Sequence, residues 1–216
     1  MNGVVWNEDG TLNQESVTEA LKYMETLIKE ELVAPEDKTS SGMDAYKRIT
    51  AGSASFLTGP TSFVSRSTNE EECSVIGEIT PILMPGKEGK SKVTMALPEG
   101  LGVTKFSKNK EAAKKFVEWY TSADMQKELN ASNSAIPTRN TVLKGLVEDG
   151  TIKNAGAMLE EAELIVSPFP NGIPSYYAEM SNAMYNAINK MALGELTAEK
   201  AFAEMDTKVK ELVEQE

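Results

Sequence analysis

ALPEGLGVTKFSKNKEAAKKFVEWYTSADMQ, residues 96–126, is the stretch whose reading decides the fold. Gly100, Leu101, Gly102 and Val103 read as a short apolar strand. Ser107-Lys108-Asn109-Lys110 reads as a turn, and an amphipathic helix follows it. Ser107 or Asn109 is placed to cap that helix, because a short side-chain oxygen satisfies backbone N–H groups left free in the first turn. Ala113, Phe116, Val117 and Tyr120 recur at three-and-four spacing, which gathers them on one face for burial. By itself the stretch is a strand packed on a helix.

Outward from it the chain alternates helices with short apolar segments. After Asn13, an apolar stripe of Val17, Ala20, Leu21, Met24, Leu27 and Ile28 predicts a helix that Pro35 stops, and residues 36–42 read as a polar loop. A short helix is expected at about 43–50, ending near Gly52. Ala54 to Thr58 and Cys73 to Pro81 read as strands. Pro60 suits the first turn of a further helix, which would direct free N–H groups towards Thr61 and Ser62. Beyond the quoted stretch, helices are expected from Ser122 to Leu129, at 141–148 and at 153–165. Ser167 to Pro174 holds too many prolines to be regular. Tyr177, Met180, Met184, Ala187, Ile188 and Met191 mark a long helix. The last helix, capped by Thr197, carries Ala201, Phe202, Met205, Val209 and Leu212.

Composition narrows the function. The 216 residues carry 22 basic and 33 acidic side chains, a net charge of −11, which argues against nucleic acid, whose phosphates reward a basic face. No run approaches the ~20 apolar residues that a membrane span needs. Cys73 is the one cysteine, so no intramolecular disulfide forms. Histidine is absent, which removes imidazole-activated nucleophiles and the usual zinc ligand sets. Neither a phosphate-binding P-loop nor a complete dinucleotide fingerprint occurs, and no cofactor is expected. Carboxylate pairs about 5–10 Å apart would suffice for a glycosidase. The acidic runs Glu30-Glu31, Glu70-Glu71-Glu72 and Glu160-Glu161 read instead as solvated helix faces. A helical protein-interaction module is the other alternative, supported by the abundance of amphipathic helices.

The order of these motifs resembles the extracellular solute-binding proteins of ABC sugar importers, the group that includes maltose-binding protein. That group carries a glycine-rich strand, a Ser-Lys-Asn-like turn, a helix of the AAxxFxxW type and a proline-threonine-arginine segment, here Ile136-Pro137-Thr138-Arg139. Further matches follow the same order: Tyr46 to Phe56, Gly59-Pro60-Thr61-Ser62-Phe63, Pro81 to Gly86, Pro170 to Tyr177 with its long helix, and Gly194 to Phe202. Together they run from about Gly10 to the C-terminus.

The resemblance implies an α/β, helix-rich fold of the type II periplasmic-binding-protein kind, consisting mostly of the C-terminal lobe plus a segment of the N-terminal lobe. Residues 1–98 and 150–216 would form the C-terminal lobe and 99–149 the N-terminal segment, with Leu97-Pro98-Glu99-Gly100 as a hinge crossing. Residues 1–10 carry no leader pattern, and Met1 is read as the start of a truncated piece of an extracellular or periplasmic lipoprotein. The implied function is binding of a sugar between two lobes and delivery to the membrane permease, without chemistry on the solute.

The implied ligand-binding residues are Gly59, Thr61, Phe63, Glu99, Gly100, Arg139, Tyr176 and Tyr177, with no catalytic or metal-binding residue. Sugar sites need aromatic faces and polar groups for hydroxyls. Phe63 sits near the place of the family's cleft tryptophan, although Thr61 stands directly after Gly59-Pro60 where tryptophan is common. Arg139 offers a bidentate fork or a surface ion pair. Tyr176 and Tyr177 open a helix where the family presents aromatics; the residues alone equally allow one core and one surface tyrosine. Trp6 and Trp119 read as packing residues, and Trp119 equally allows a solvent-side or lobe-surface place ahead of any ligand role. A segment 99–149 without its usual partners would expose Phe116 and Val117 and favour self-association.

Overall fold

Asn13 opens the first helix as the spacing predicts. Its side chain accepts from the N–H of Ser16 at 3.0 Å, and α1 runs Gln14–Lys29. The computed structural model describes residues 4–86, 89–96, 99–153, 155–169 and 171–215. α1 ends before Pro35, not at it. Glu31 adopts φ 55°, and the N–H groups of Glu31 and Leu32 turn back to the carbonyls of Ile28 and Leu27. These paired bonds satisfy the last free carbonyls and close the helix five residues short of the proline. Pro35–Lys38 then forms a single 3-10 turn where a loop was expected.

The helices that follow are α2 (Gly42–Thr50), α3 (Ser62–Arg66), α4 (Lys110–Tyr120), α5 (Ala123–Asn133), α6 (Asn140–Glu148), α7 (Gly156–Ala162), α8 (Tyr177–Ala192) and α9 (Ala198–Gln215). Ser122 caps α5 by accepting from Met125 N–H at 3.3 Å, and that helix continues past Leu129. The expected helix at 153–165 shortens to α7. At α4 neither candidate cap works as expected: Asn109 makes no side-chain cap, and Ser107 Oγ accepts from Asn109 N–H, ahead of the helix.

The expected strands at Ala54–Thr58, Cys73–Pro81 and Gly100–Val103 do not form. The only ladder among the described residues pairs β1 (Pro85–Gly86) with β2 (Gly89–Lys90), antiparallel, beside an isolated bridge between Trp6 and Leu12. A strand exists only when its N–H and C=O groups find a ladder partner. These apolar segments find none among the described residues.

The chain divides into two compact units. The first holds residues 1–41, 85–95 and 166–216, and the second holds 42–84 and 96–165. These boundaries differ from the crossings expected near 98 and 149. Leu97 and Pro98 of the expected hinge, and Pro170, lie outside the described residues.

In the first unit α9 packs against α1 and α8. The predicted stripe of α9 is buried throughout: Ala201, Phe202, Met205, Val209 and Leu212 meet Val17 and Leu21 of α1 and Met180, Ala187 and Met191 of α8. Thr197 caps α9 by accepting from Lys200 N–H at 3.4 Å. The turn before it uses Gly194 at φ 82°, a conformation that a side chain would resist. In the second unit Val142, Leu143 and Leu146 of α6 cluster with Ile152, Ala155 and Met158. α4 is the exception to its own pattern. It has no buried residue, and Phe116 and Trp119 remain 52% and 55% exposed. Its apolar face is therefore open, as the resemblance implied for Phe116, while Val117 is half-buried.

Candidate functional site

The eight expected ligand-binding residues fall into two groups, one in each unit. In the second unit, Gly59, Thr61 and Phe63 lie at the entry to α3. The Phe63 ring stacks on Tyr46 of α2 with centroids 4.5 Å apart, tilted by 33°. Gly59 is what lets the ring lie there: a β-carbon at that position would come within 2.7 Å of Phe63 Cδ2. Thr61 occupies the position before α3 without a side-chain cap.

Tyr46 is the residue that sequence reading overlooked here. It is buried, and its hydroxyl has no hydrogen-bond partner among the described residues. Burial, helped by the nearby Glu72 carboxylate, pushes its pKa up to about 12. Its spacing to Gly59 and Phe63 crosses two turns, so no local periodicity announces the stack.

Arg139 is engaged within the fold. Its Nε donates to the carbonyl of Thr121 at 2.7 Å, at the C-terminal end of α4, where a cation is favoured. Its backbone N–H donates to Gln126 Oε1 at 3.1 Å, and Gln126 Nε2 donates to Thr138 Oγ1 at 3.1 Å. Pro137 is buried beside them. Glu99 and Gly100 are exposed in irregular backbone.

In the first unit, Tyr176 and Tyr177 divide as one packed and one exposed ring. Tyr176 packs on the α1–α8–α9 core, with its hydroxyl close to Gly10. Tyr177 is 43% exposed and meets Phe169 edge-to-face, with centroids 5.8 Å apart and planes at 89°. Phe169 in turn meets Trp6 at 5.4 Å. Trp6 packs on the core as expected. Phe169, held among prolines where no period can mark it, went unseen in the sequence.

Two shallow depressions, of about 530 and 360 Å³, are lined by none of the eight residues. The larger involves Asn186, Asn189 and Lys190 of α8 with Glu204 of α9. The smaller involves Asn7, Thr11, Asn13 and Asp206. Among the described residues no group of His, Cys, Asp or Glu could hold a metal ion, and no helix is long and apolar enough to cross a membrane.

Residues 1–127 match the family model of the bacterial extracellular solute-binding proteins. The chain belongs to this family. Its fold is shared with solved structures of binding proteins. Maltose-bound MalE3 of T. maritima is 23% identical with a TM-score of 0.81, over 97% of this chain and 54% of that one. A candidate oligosaccharide periplasmic-binding protein of Synechococcus sp. MITs9220, in complex with zinc, is 12% identical with a TM-score of 0.70, over 99% and 56%. Another structure of the Synechococcus protein gives 14% and 0.69, over 98% and 56%. The chain thus spans about half the length of the structures it matches.

Proposed function

We propose that this chain is the sugar-binding part of an extracellular receptor that feeds an ABC importer. The family match over residues 1–127 carries the reading, and the fold shared with maltose-bound MalE3 supports a carbohydrate as solute. In this reading residues 1–98 and 150–216 belong to one lobe and 99–149 to the other. Tyr177 offers an exposed ring for the apolar face of a pyranose, and Tyr176 fixes the helix start beneath it. Gly59, Thr61, Phe63, Glu99, Gly100 and Arg139 are the other residues this reading assigns to ligand contact. Solute stabilises a closed form of the two lobes, and the closed form docks on the permease outside the cytoplasmic membrane. No bond in the solute is made or broken. The chain alone self-associates through the open face of α4, which light scattering would register.

Saturation-transfer NMR on the purified chain tests the reading, since it detects a Kd of about 1 mM. Glucose or maltose should receive saturation from the protein and lose it in Tyr177→Ala. A folded chain that transfers to no sugar would overturn the proposal.

A further inference from the structure

Helix α4 buries none of its residues, and none of them joins either buried cluster of the described residues. Its rings contact one another instead. Phe116 lies 5.7 Å from both Trp119 and Tyr120, centroid to centroid, and Trp119 lies 6.3 Å from Tyr120. The C-terminal end of the helix is fixed, because Arg139 Nε donates to the carbonyl of Thr121. An exposed patch of packed rings on an anchored helix marks an interaction surface.

The order of residues on this face is self-complementary. Ala112, Ala113, Phe116, Trp119 and Tyr120 share about 120° of the helix circumference. Phe116 sits midway, with the alanine pair about 5 Å before it along the axis and the Trp119–Tyr120 pair about 5 Å after it. When a second α4 lies antiparallel across Phe116, the alanines of each copy face the rings of the other, small against large. A parallel pair would set ring against ring and leave the alanines facing a gap. Lys115 borders the face, while Glu111 and Glu118 fall on the far side of the helix, so no ion pair crosses the contact. Each copy also carries a net charge of −11, so pairing works against repulsion that salt screens. We infer that this face pairs with the same face of a second copy of the chain, as an antiparallel α4–α4 contact centred on Phe116. This pairing rests on the self-association in the proposed function and is independent of the solute.

Sedimentation equilibrium of the purified chain, from about 10 µM to about 1 mM, reads the pairing. One short helix face is small beside the interface of a stable dimer, so a monomer–dimer equilibrium with a Kd on the order of 100 µM is expected. Added salt should tighten it. Phe116→Glu should abolish the dimer with an unchanged melting temperature, because the ring is exposed in the single chain. Ala112→Phe decides the register. It enlarges the apolar face, yet it sets a ring against Trp119 of the second copy and should weaken the dimer about tenfold. A chain that stays monomeric throughout overturns the pairing, and so does a dimer that survives Phe116→Glu. A dimer that salt dissolves overturns it in favour of docking on an acidic surface. A dimer strengthened by Ala112→Phe overturns the antiparallel register. Saturation transfer to glucose, read on the Phe116→Glu monomer, tests the solute reading separately, so either can fall alone.

Discussion

The side chain of Arg139 reaches back to helix α4 and donates from Nε to the carbonyl of Thr121 at 2.7 Å. A charged donor at a helix C-terminus satisfies a carbonyl that has no partner within the helix and complements its partial negative charge. With the Gln126 bonds beside it, this contact joins the α4–α5 corner to the start of α6. Arg139→Ala should therefore cost about 1 kcal/mol in urea denaturation. An unchanged midpoint would free the guanidinium for a ligand role alone.

Gly59 is required by volume, not by backbone conformation. Gly59→Ala would press a methyl group to within 2.7 Å of Phe63 Cδ2 and 3.0 Å of Cε2. The ring must then slide off Tyr46, and overpacking of this kind costs about 1–3 kcal/mol. Differential scanning calorimetry should show a lowered melting temperature. A variant as stable as the parent would mean that the Phe63–Tyr46 stack yields without loss.

Tyr46 sets an alkaline limit. Its folded pKa of about 12 lies above the ordinary value of 10.0, mainly because burial disfavours the phenolate. The folded state thus holds the proton more tightly. The contribution is complete below pH 10.0 and is lost as pH rises towards about 12. Tyr46→Phe also removes a buried hydroxyl that lacks a partner, so it should be neutral or stabilising at pH 7. Urea midpoints measured across this alkaline range should fall more steeply in the parent than in the variant. Parallel curves would place the Tyr46 hydroxyl in water.

How much of this was legible follows the range of the interactions. A helix declares itself within a few residues, and every stripe residue expected on α9, from Ala201 to Leu212, is buried. Strands depend on a partner elsewhere, so apolar runs such as Ala54–Thr58 could not be told from unpaired extended chain. Phe116 shows the same limit from the other side: its spacing marks an apolar face, but spacing says nothing of what lies opposite. At the candidate site, Tyr176 and Tyr177 share a helix start, and packing against the hairpin at Gly10 separates the half-buried ring from the exposed one. Phe169 meets Trp6 across most of the chain, a contact that no local pattern carries.

The junction of α1 with α9 is sensitive to acid. Glu199, in the first turn of α9, pairs with Lys22 of α1 at 2.9 Å. The Lys22 ammonium, then the backbone N–H of Glu199 and the Thr197 hydroxyl, hold its pKa down to about 2 from an ordinary 4.5. A carboxylate with a lowered folded pKa stabilises the fold fully above its unfolded value and loses that contribution on acidification. The window here runs from pH 4.5 down to about 2. Both partners are solvent-exposed, so the effect is modest and salt-sensitive. Glu199→Gln should lower the melting temperature slightly at pH 7, and the gap from the parent should close as pH falls through the window. A gap that stays constant with pH would show that the Lys22–Glu199 contact does not set the titration, and would shift the acid response to other carboxylates of the chain.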